Sequence, residues 1–328
     1  MPAAERVTTV IPNWNGIRFL GECLAGLASQ TSGRPRVIVI DNGSTDGSAD
    51  FIKENFSWVK LIESPVNEGF SRAVNRGIAL CETEFVFLLN NDAVPEPGCI
   101  ENLVDVMDRN SNIHSCACKV VFYDDPETID SAGDDYTPWG MVFNRGHGKP
   151  AGDFISETPV FGPCAAAALY RKSLFDSIGL FEENIFAYYE DTDLNMRAAL
   201  SGLNCLFVPG AVVKHHYSGS SSGTVSKLGK EQVYIHLTGV YFKNMPAAFI
   251  AKHLVSVTAV HSAILFFYAL AKLRRSNRLP AVPLFNFMKS MLKKRHDIVG
   301  NKSISNKDLK KKFLYGSFMD YLSDKKRI

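Results

Sequence analysis

An aspartate ends the apolar run at 36–41, and another, Asp92, follows the apolar run at 85–89 after Asn90 and Asn91. Strands that read as uniformly apolar are covered on both faces, so polar residues at their carboxyl ends point to the crevice where parallel α/β sheets bind ligands. Asp41 is placed there to accept hydrogen bonds from a base or a ribose. Asp92 offers hard oxygen to Mg2+ or Mn2+, and an ion so placed would neutralise a departing diphosphate. The letters Asn-Asn-Asp-Ala-Val-Pro also suit a plain turn. Further on, Glu190, Asp191 and Asp193 crowd the start of a helix behind Phe186, Tyr188 and Tyr189. One or two acids in a first turn answer the helix dipole; three behind an aromatic run suit an active-site edge, where crowding lifts a carboxyl toward the pKa of a general base. His215, just after the apolar run 211–213, is a ready ligand for a divalent ion.

Two more stretches carry polar groups at useful spacing. In Asn67-Glu-Gly-Phe-Ser-Arg-Ala-Val-Asn-Arg-Gly77, Gly69 precedes a helix on which Arg72, Asn75 and Arg76 recur at three- and four-residue steps. Arg72 near that helix start would suit a diphosphate, and a solvated polar face would use the same residues. The glycine-rich turn Asp41-Asn-Gly-Ser-Thr-Asp-Gly-Ser48 allows a tight reversal, with Ser44 to Asp46 free to cap the next helix.

These residues need a scaffold that gathers strand ends. Apolar, β-branched runs at 7–12, 36–41 and 85–89 alternate with helical spacing at 18–29, 48–55 and 69–81, which predicts an α/β sandwich. Helical spacing resumes at 171–178 and 190–201, where Gly202 is a natural stop, and 203–208 reads as a last strand ahead of Pro209-Gly210. The irregular stretch 120–165 is long enough to suggest function. Within it, Trp139 is a candidate wall for a ligand, and Gly162 heads a small-residue run consistent with backbone passing close to one; packing would explain both as well.

Of the 328 residues, 46% are hydrophobic, enough for a sizeable core. The net charge of +2 conceals a split: residues 272–328 hold sixteen of the 36 Lys and Arg and only four of the 34 acids. Such a basic tail suits an anionic surface. Seven scattered cysteines without a CxxC pair read as reduced thiols of a cytoplasmic protein, and the amino terminus has no signal-peptide pattern. Residues 247–271 are nearly all apolar, so a core helix, a membrane-surface helix and a span are all open there. The basic flank, from Lys272, Arg274, Arg275 and Arg278 to Lys310-Lys-Lys312, favours a surface helix on anionic lipid. The expected division is a catalytic domain at 1–245 and a helical basic appendage at 246–328, with peripheral membrane contact through 247–312 at the inner face of the plasma membrane.

The motifs VTTVIPNWNG, DNGSTDGS, NEGFSRAVNRG, LLNNDAVP and FGPCAAAALYRKSLFDSIGLFEENIFAYYEDTDLNMRAALSG, with the late histidine, run in this order over residues 6–220. Together they resemble a family 2 glycosyltransferase, and within that family the rhamnosyltransferase-like branch, where Asn-x-Asp often stands for Asp-x-Asp. The resemblance implies the GT-A fold, a Rossmann-like and mostly parallel central sheet flanked by helices. It also implies inverting transfer of a sugar, with rhamnose a candidate, in cell-surface polysaccharide synthesis. The donor would be a dTDP- or UDP-linked sugar and the acceptor a saccharide or lipid-linked saccharide, with Mg or Mn as cofactor and no nucleic acid as partner. By position, Asp191 would be the catalytic base, Asp92 and His215 the metal ligands, and Asp41 a ligand of the nucleotide base. Pro12, Asn13, Asn15, Asn67, Gly69, Arg72 and Asn91 would contact the donor, and Glu190 would join the substrate wall. Asn90 departs from the pattern, since an amide oxygen ligates less strongly than a carboxylate. A nucleotidyltransferase would want a glycine-rich basic loop where Pro12-Asn-Trp-Asn-Gly16 stands, and a dehydrogenase would want GxGxxG, which is missing. A non-catalytic sugar-nucleotide-binding module would not need Asp41, Asp92, Asp191 and His215 together.

Overall fold

The computed structural model describes residues 1–216, 230–273 and 284–323. Residues 217–220 of the late histidine motif, and Arg274, Arg275 and Arg278 of the basic flank, lie outside the described residues. The first third alternates as expected: β1 (Val7–Asn13), α1 (Ile17–Ala28), β2 (Arg36–Asp41), α2 (Ser48–Asn55), β3 (Lys60–Glu63), α3 (Phe70–Ala79) and β4 (Phe85–Leu89). These strands pair in parallel in the order β3-β2-β1-β4. Their carboxyl ends, Asn13, Asp41 and Leu89, therefore lie along one edge. Every residue of β4 is buried, which accounts for its uniformly apolar sequence.

The second third mixes directions. It comprises β5 (Ala93–Pro95), α4 (Cys99–Arg109), β6 (Ile113–Phe122), β7 (Ile129–Ser131), β8 (Asp134–Tyr136), β9 (Val142–Asn144), β10 (Thr158–Val160), β11 (Ala167–Arg171), α5 (Lys172–Ile178), α6 (Glu190–Leu200) and β12 (Asn204–His215). β11 runs antiparallel between β4 and β6, and β12 lies parallel to β6. The parallel character read from the sequence belongs to the β3-β2-β1-β4 half. β12 is one strand where the sequence suggested two short runs, because a register shift between Val208 and Val212 absorbs Pro209-Gly210. Beyond that shift it pairs with β5, setting His215 opposite Ala93.

Among the described residues six helices follow: α7 (Lys230–Asn244), α8 (Ala247–Lys252), α9 (Leu254–Leu273), α10 (Leu284–Gly300), α11 (Asn306–Lys311) and α12 (Phe318–Ser323). They close over part of the preceding fold. One apolar cluster joins Tyr136, Trp139 and Met196 to Tyr241, Phe249, Leu309 and Phe313. A second joins Ile185 to Ile235, Val240, Phe287 and Met291. Between the clusters, Lys243 of α7 is buried with its Nζ 2.7 Å from Glu182 Oε2 and 3.0 Å from Asp193 Oδ2. Arg197 and Asn244 also donate to Asp193, and Lys294 of α10 donates to Glu182. Each charged group of this network has an opposite charge in contact, the condition under which buried ions are tolerated.

Helix α9 uses only one stripe. Val257, His261, Ile264 and Tyr268 are buried, while Leu254, Val255, Phe266 and Phe267 are exposed. Among the described residues no helix is long and apolar enough to cross a membrane.

Candidate active site

The edge formed by the ends of β1, β2 and β4 opens into a cavity of about 590 Å³. Its near wall contains Pro12, Asn13, Trp14, Asn42, Asn90, Asn91 and Asp92. A string of hydrogen bonds fixes this wall. Asn91 Nδ2 donates to Asn13 Oδ1 at 2.7 Å, and Asn13 Nδ2 donates to Asp41 Oδ1 at 2.8 Å. The Ser44 N–H then donates to Asp41 Oδ2 at 3.0 Å. A Cβ on Gly16 would fall 2.0 Å from Asn91 Nδ2, so only glycine lets the β1 loop close over this string. Asn42 anchors the neighbouring loop by donating to Asn67 Oδ1 and to the Gly69 carbonyl.

The far wall is the loop 186–189 and the first turn of α6. Tyr188 and Tyr189 take φ of 69° and 71°, a left-handed conformation that bulky residues rarely adopt. The loop is held there from two sides. The Phe70 N–H donates to the Phe186 carbonyl at 2.6 Å, and Ser71 Oγ donates to the Ile185 carbonyl at 2.8 Å. From the other side His236 Nδ1 lies 3.0 Å from the Ala187 carbonyl. Strain kept by surrounding contacts marks functional turns, and this one presents Glu190 and Asp191 to the cavity.

The two acids differ in their surroundings. Asp191 accepts from the Thr192 N–H at 2.7 Å and from the Ala165 N–H at 3.2 Å. Glu190 Oε2 is buried with no hydrogen-bond partner. Burial lifts both carboxyls. The neighbouring Asp191 adds to this at Glu190 and takes it to about 8, whereas the two N–H donors restrain the rise at Asp191. Of the pair, Glu190 is therefore the carboxyl that holds a proton more tightly.

His215 sits between two carboxylates. Its Nδ1 is 2.7 Å from Asp130 Oδ2 and its Nε2 is 3.3 Å from Asp92 Oδ1. Burial opposes a charge on the ring, but the two carboxylates outweigh it and raise His215 to about 9. A carboxylate and an imidazole nitrogen meeting in one cavity suit Mg2+ or Mn2+, and Asp130 fixes the ring orientation. Among the described residues no group of three His, Cys, Asp or Glu side chains is arranged to hold a metal ion by itself. A cation here would draw its remaining ligands from phosphate and water, as Mg2+ commonly does.

Of the residues singled out from sequence, Pro12, Asn13, Asn67, Asn91, Asp92, Glu190, Asp191 and His215 all line the cavity. Asp41 stands behind its wall, 3% exposed. Asn15 holds the turn, its Oδ1 accepting from the Thr45 N–H. Gly69 faces the Phe186 carbonyl, which leaves no room for a Cβ. Three residues are placed elsewhere. Arg72 lies half-exposed on the outer side of α3 near Glu68 and Glu183. Trp139 is fully buried among Tyr315, Phe318 and Tyr321, because the C-terminal helices cover it. Gly162 packs on Asn195. Asn42, Trp14, Asp130 and Asp134 were missed. Asn42 was signalled by its place after Asp41, but no periodicity marked the two aspartates of the irregular stretch.

A family model described as Glycosyl transferase family 2 matches residues 8–179. The N-acetylglucosaminyl-diphospho-decaprenol L-rhamnosyltransferase of Mycobacterium tuberculosis is 28% identical over 225 residues, covering 60% of this chain and 72% of the relative. The pre-mycofactocin glycosyltransferase of the same organism is 29% identical over 225 residues, covering 66% of this chain and 44% of the relative. A solved mannosyltransferase of Pyrobaculum calidifontis in complex with GDP-Man and Mn2+ superposes with a TM-score of 0.53 at 18% identity, covering 90% of this chain and 85% of that one. That likeness is one of fold, the GT-A layout of a curled mixed sheet between helices.

Proposed function

The chain belongs to glycosyl transferase family 2, and from that premise we propose that it transfers a sugar, with rhamnose the first candidate, from a dTDP- or UDP-linked donor to a lipid-linked saccharide, inverting the anomeric centre. The observation that carries this reading is Asp191, fixed by two backbone N–H groups in one cavity with the strand-end amides and the Asp92–His215 pair. The near wall of Pro12, Asn13, Asn67 and Asn91 would take the nucleotide, with Asp41 bracing it from behind.

Asp191 takes the proton from an acceptor hydroxyl as that oxygen attacks the anomeric carbon. The bond to the donor diphosphate breaks on the opposite face and its electron pair leaves with the diphosphate. One displacement inverts the centre, and no covalent enzyme intermediate is needed. A divalent cation held by Asp92 and His215 would supply charge neutralisation for the leaving group. The likeness to a rhamnosyltransferase of a decaprenol-linked sugar supports the donor and acceptor classes. A thermal-shift screen of nucleotide sugars with Mn2+ or Mg2+ tests the donor. Absence of any stabilisation by dTDP- or UDP-sugars would refute it.

The cation assignment makes its own forecast. Asp130→Asn should weaken Mn2+ binding by about 10- to 100-fold, the usual cost of a lost orienting carboxylate. Asp92→Ala should weaken it further, as followed by electron paramagnetic resonance titration. Because His215 must lose its proton to ligate, Mn2+ affinity should climb with pH up to about 9. Metal dependence that survives Asp92→Ala rejects the site.

We read residues 1–245 as the catalytic unit and 246–328 as an appendage that contacts the inner face of the plasma membrane. The support is α9, with Val255 84%, Phe266 61% and Phe267 51% exposed, and Phe285 of α10 at 76%. No charged residue falls between Leu254 and Ala271, while Lys252, Lys289 and Lys293 flank this face. The double change Phe266→Glu, Phe267→Glu should cut co-sedimentation with anionic vesicles by tenfold or more. Undiminished co-sedimentation would show that another surface makes the contact.

A further inference from the structure

We propose that the corner of the cavity built by the β8–β9 hairpin is the subsite of the acceptor sugar, and that Asp134 grips a hydroxyl beside the one that reacts. This inference rests on the reading of Asp191 as the base. Asp134 opens β8 and pairs with Asn144 of β9. Its N–H donates to the Gly162 carbonyl at 2.8 Å, and its carbonyl accepts from the Phe161 N–H at 3.2 Å. The backbone is thus fixed from both sides. Val142 and Asn144 line the same corner from β9, and Cys164 and Ala165 line it from the turn ahead of β11.

The side chain is poorly served by the protein. Asp134 is 3% exposed and has no cationic partner among the described residues. It accepts one long hydrogen bond, from Asn195 Nδ2 at 3.4 Å, and that amide already donates to the Pro163 carbonyl at 3.0 Å. The neighbouring Glu190 Oε2, buried in the same cavity, has no partner at all. Buried polar atoms are nearly always paired, so an unpartnered Glu190 oxygen beside a weakly paired Asp134 points to a ligand that completes them.

The chemistry narrows the ligand. Burial first, then the charges of Asp191 and Asp135, push Asp134 well above the usual carboxylate range. Its protonated form is thereby favoured, and a protonated carboxyl both donates and accepts. A sugar hydroxyl also does both. A phosphate would meet the charge of Asp191 and, among the described residues, no cation in this corner, so the occupant is a neutral polyol, with Val142 as an apolar surface for its ring. A vicinal diol fits best: one hydroxyl on Asp134 leaves its neighbour for Asp191.

Methyl N-acetylglucosaminide, titrated by ligand-observed NMR with dTDP present, probes the subsite without turnover. Wild-type protein should bind it, and Asp134→Ala should lose at least tenfold in affinity. In transfer assays with dTDP-rhamnose and an N-acetylglucosaminyl diphospholipid, Asp134→Asn should raise the acceptor KM tenfold or more while the donor KM shifts less than twofold. Equal glycoside affinity in Asp134→Ala and wild type overturns the proposal, as does a donor KM that rises in step with the acceptor KM. Asn144→Ala, at the exposed end of β9, repeats the test if Asp134→Ala melts early, and it should also lose at least tenfold. Asp191→Asn separates the two readings: it should still bind the glycoside, and undiminished transfer by it would strike the base assignment and leave the subsite standing.

Discussion

Asp191→Asn is expected to lower transfer by about 10²- to 10⁴-fold, the range typical of a positioned general base. The amide keeps the shape, and its single oxygen can accept from the Thr192 or the Ala165 N–H, which donate to different carboxylate oxygens, so donor binding should barely move and the melting temperature should fall only slightly. The pH profile supplies a second mark. The base works ionised, and burial raises Asp191 above the usual carboxylate value. Turnover should therefore fall about tenfold per pH unit below that titration and level off above it. Glu190, near 8, should give a second inflection as a new charge enters beside Asp191. A variant with wild-type turnover and an unchanged profile would remove Asp191 from the mechanism.

The largest effect on stability is expected at Lys243. Lys243→Met leaves Glu182 with Lys294 and Asp193 with Arg197 and Asn244, and strips the one cation that both acids share. Breaking a buried pair from one side costs about 3–5 kcal/mol. Urea unfolding measures this directly. Burial alone would raise both carboxyls; Lys243 and its fellow donors reverse that and hold each at about 2. In the wild type this stability is present above the unfolded carboxylate pKa of about 4 and is lost as pH falls through about 2. Without Lys243, burial gains the upper hand and proton uptake relieves the buried charge. The variant's deficit should then shrink between pH 7 and pH 5. A deficit below 1 kcal/mol, or one that widens toward pH 5, would refute this account. Because Asp193 lies two residues from Asp191, turnover should fall with stability.

Much of the wall proposed for the donor was legible because its residues end or follow buried strands. The runs before Asp41 and Asp92 are uniformly β-branched or apolar, and a strand covered on both faces stops on polar residues chiefly where its end meets an open crevice. The acid pair was legible for a similar reason, since three acids exceed what a helix dipole uses. The corner proposed for the acceptor was not. β7, β8 and β9 are three residues each, too short for a period to show. Asp130 and Asp134 therefore looked like any loop aspartates, and their burial is a product of tertiary packing alone. Trp139 was misplaced because an aromatic in a glycine-rich stretch serves a sugar wall and a core equally well. Helices more than a hundred residues downstream decided the matter by covering it. Arg72 shows the limit of helical spacing, which says which residues share a face but not which way that face looks.

His215 pairs with Ala93 across β5 and β12, and the His216 N–H donates to the Asp92 carbonyl at 2.9 Å. One backbone register thus sets how far apart these two side chains stand, whatever the length of chain between them. The hairpin bearing Asp134 hangs in that interval and takes no part in this register. The spacing of Asp92 and His215 is thus a property of the sheet, independent of the hairpin's length.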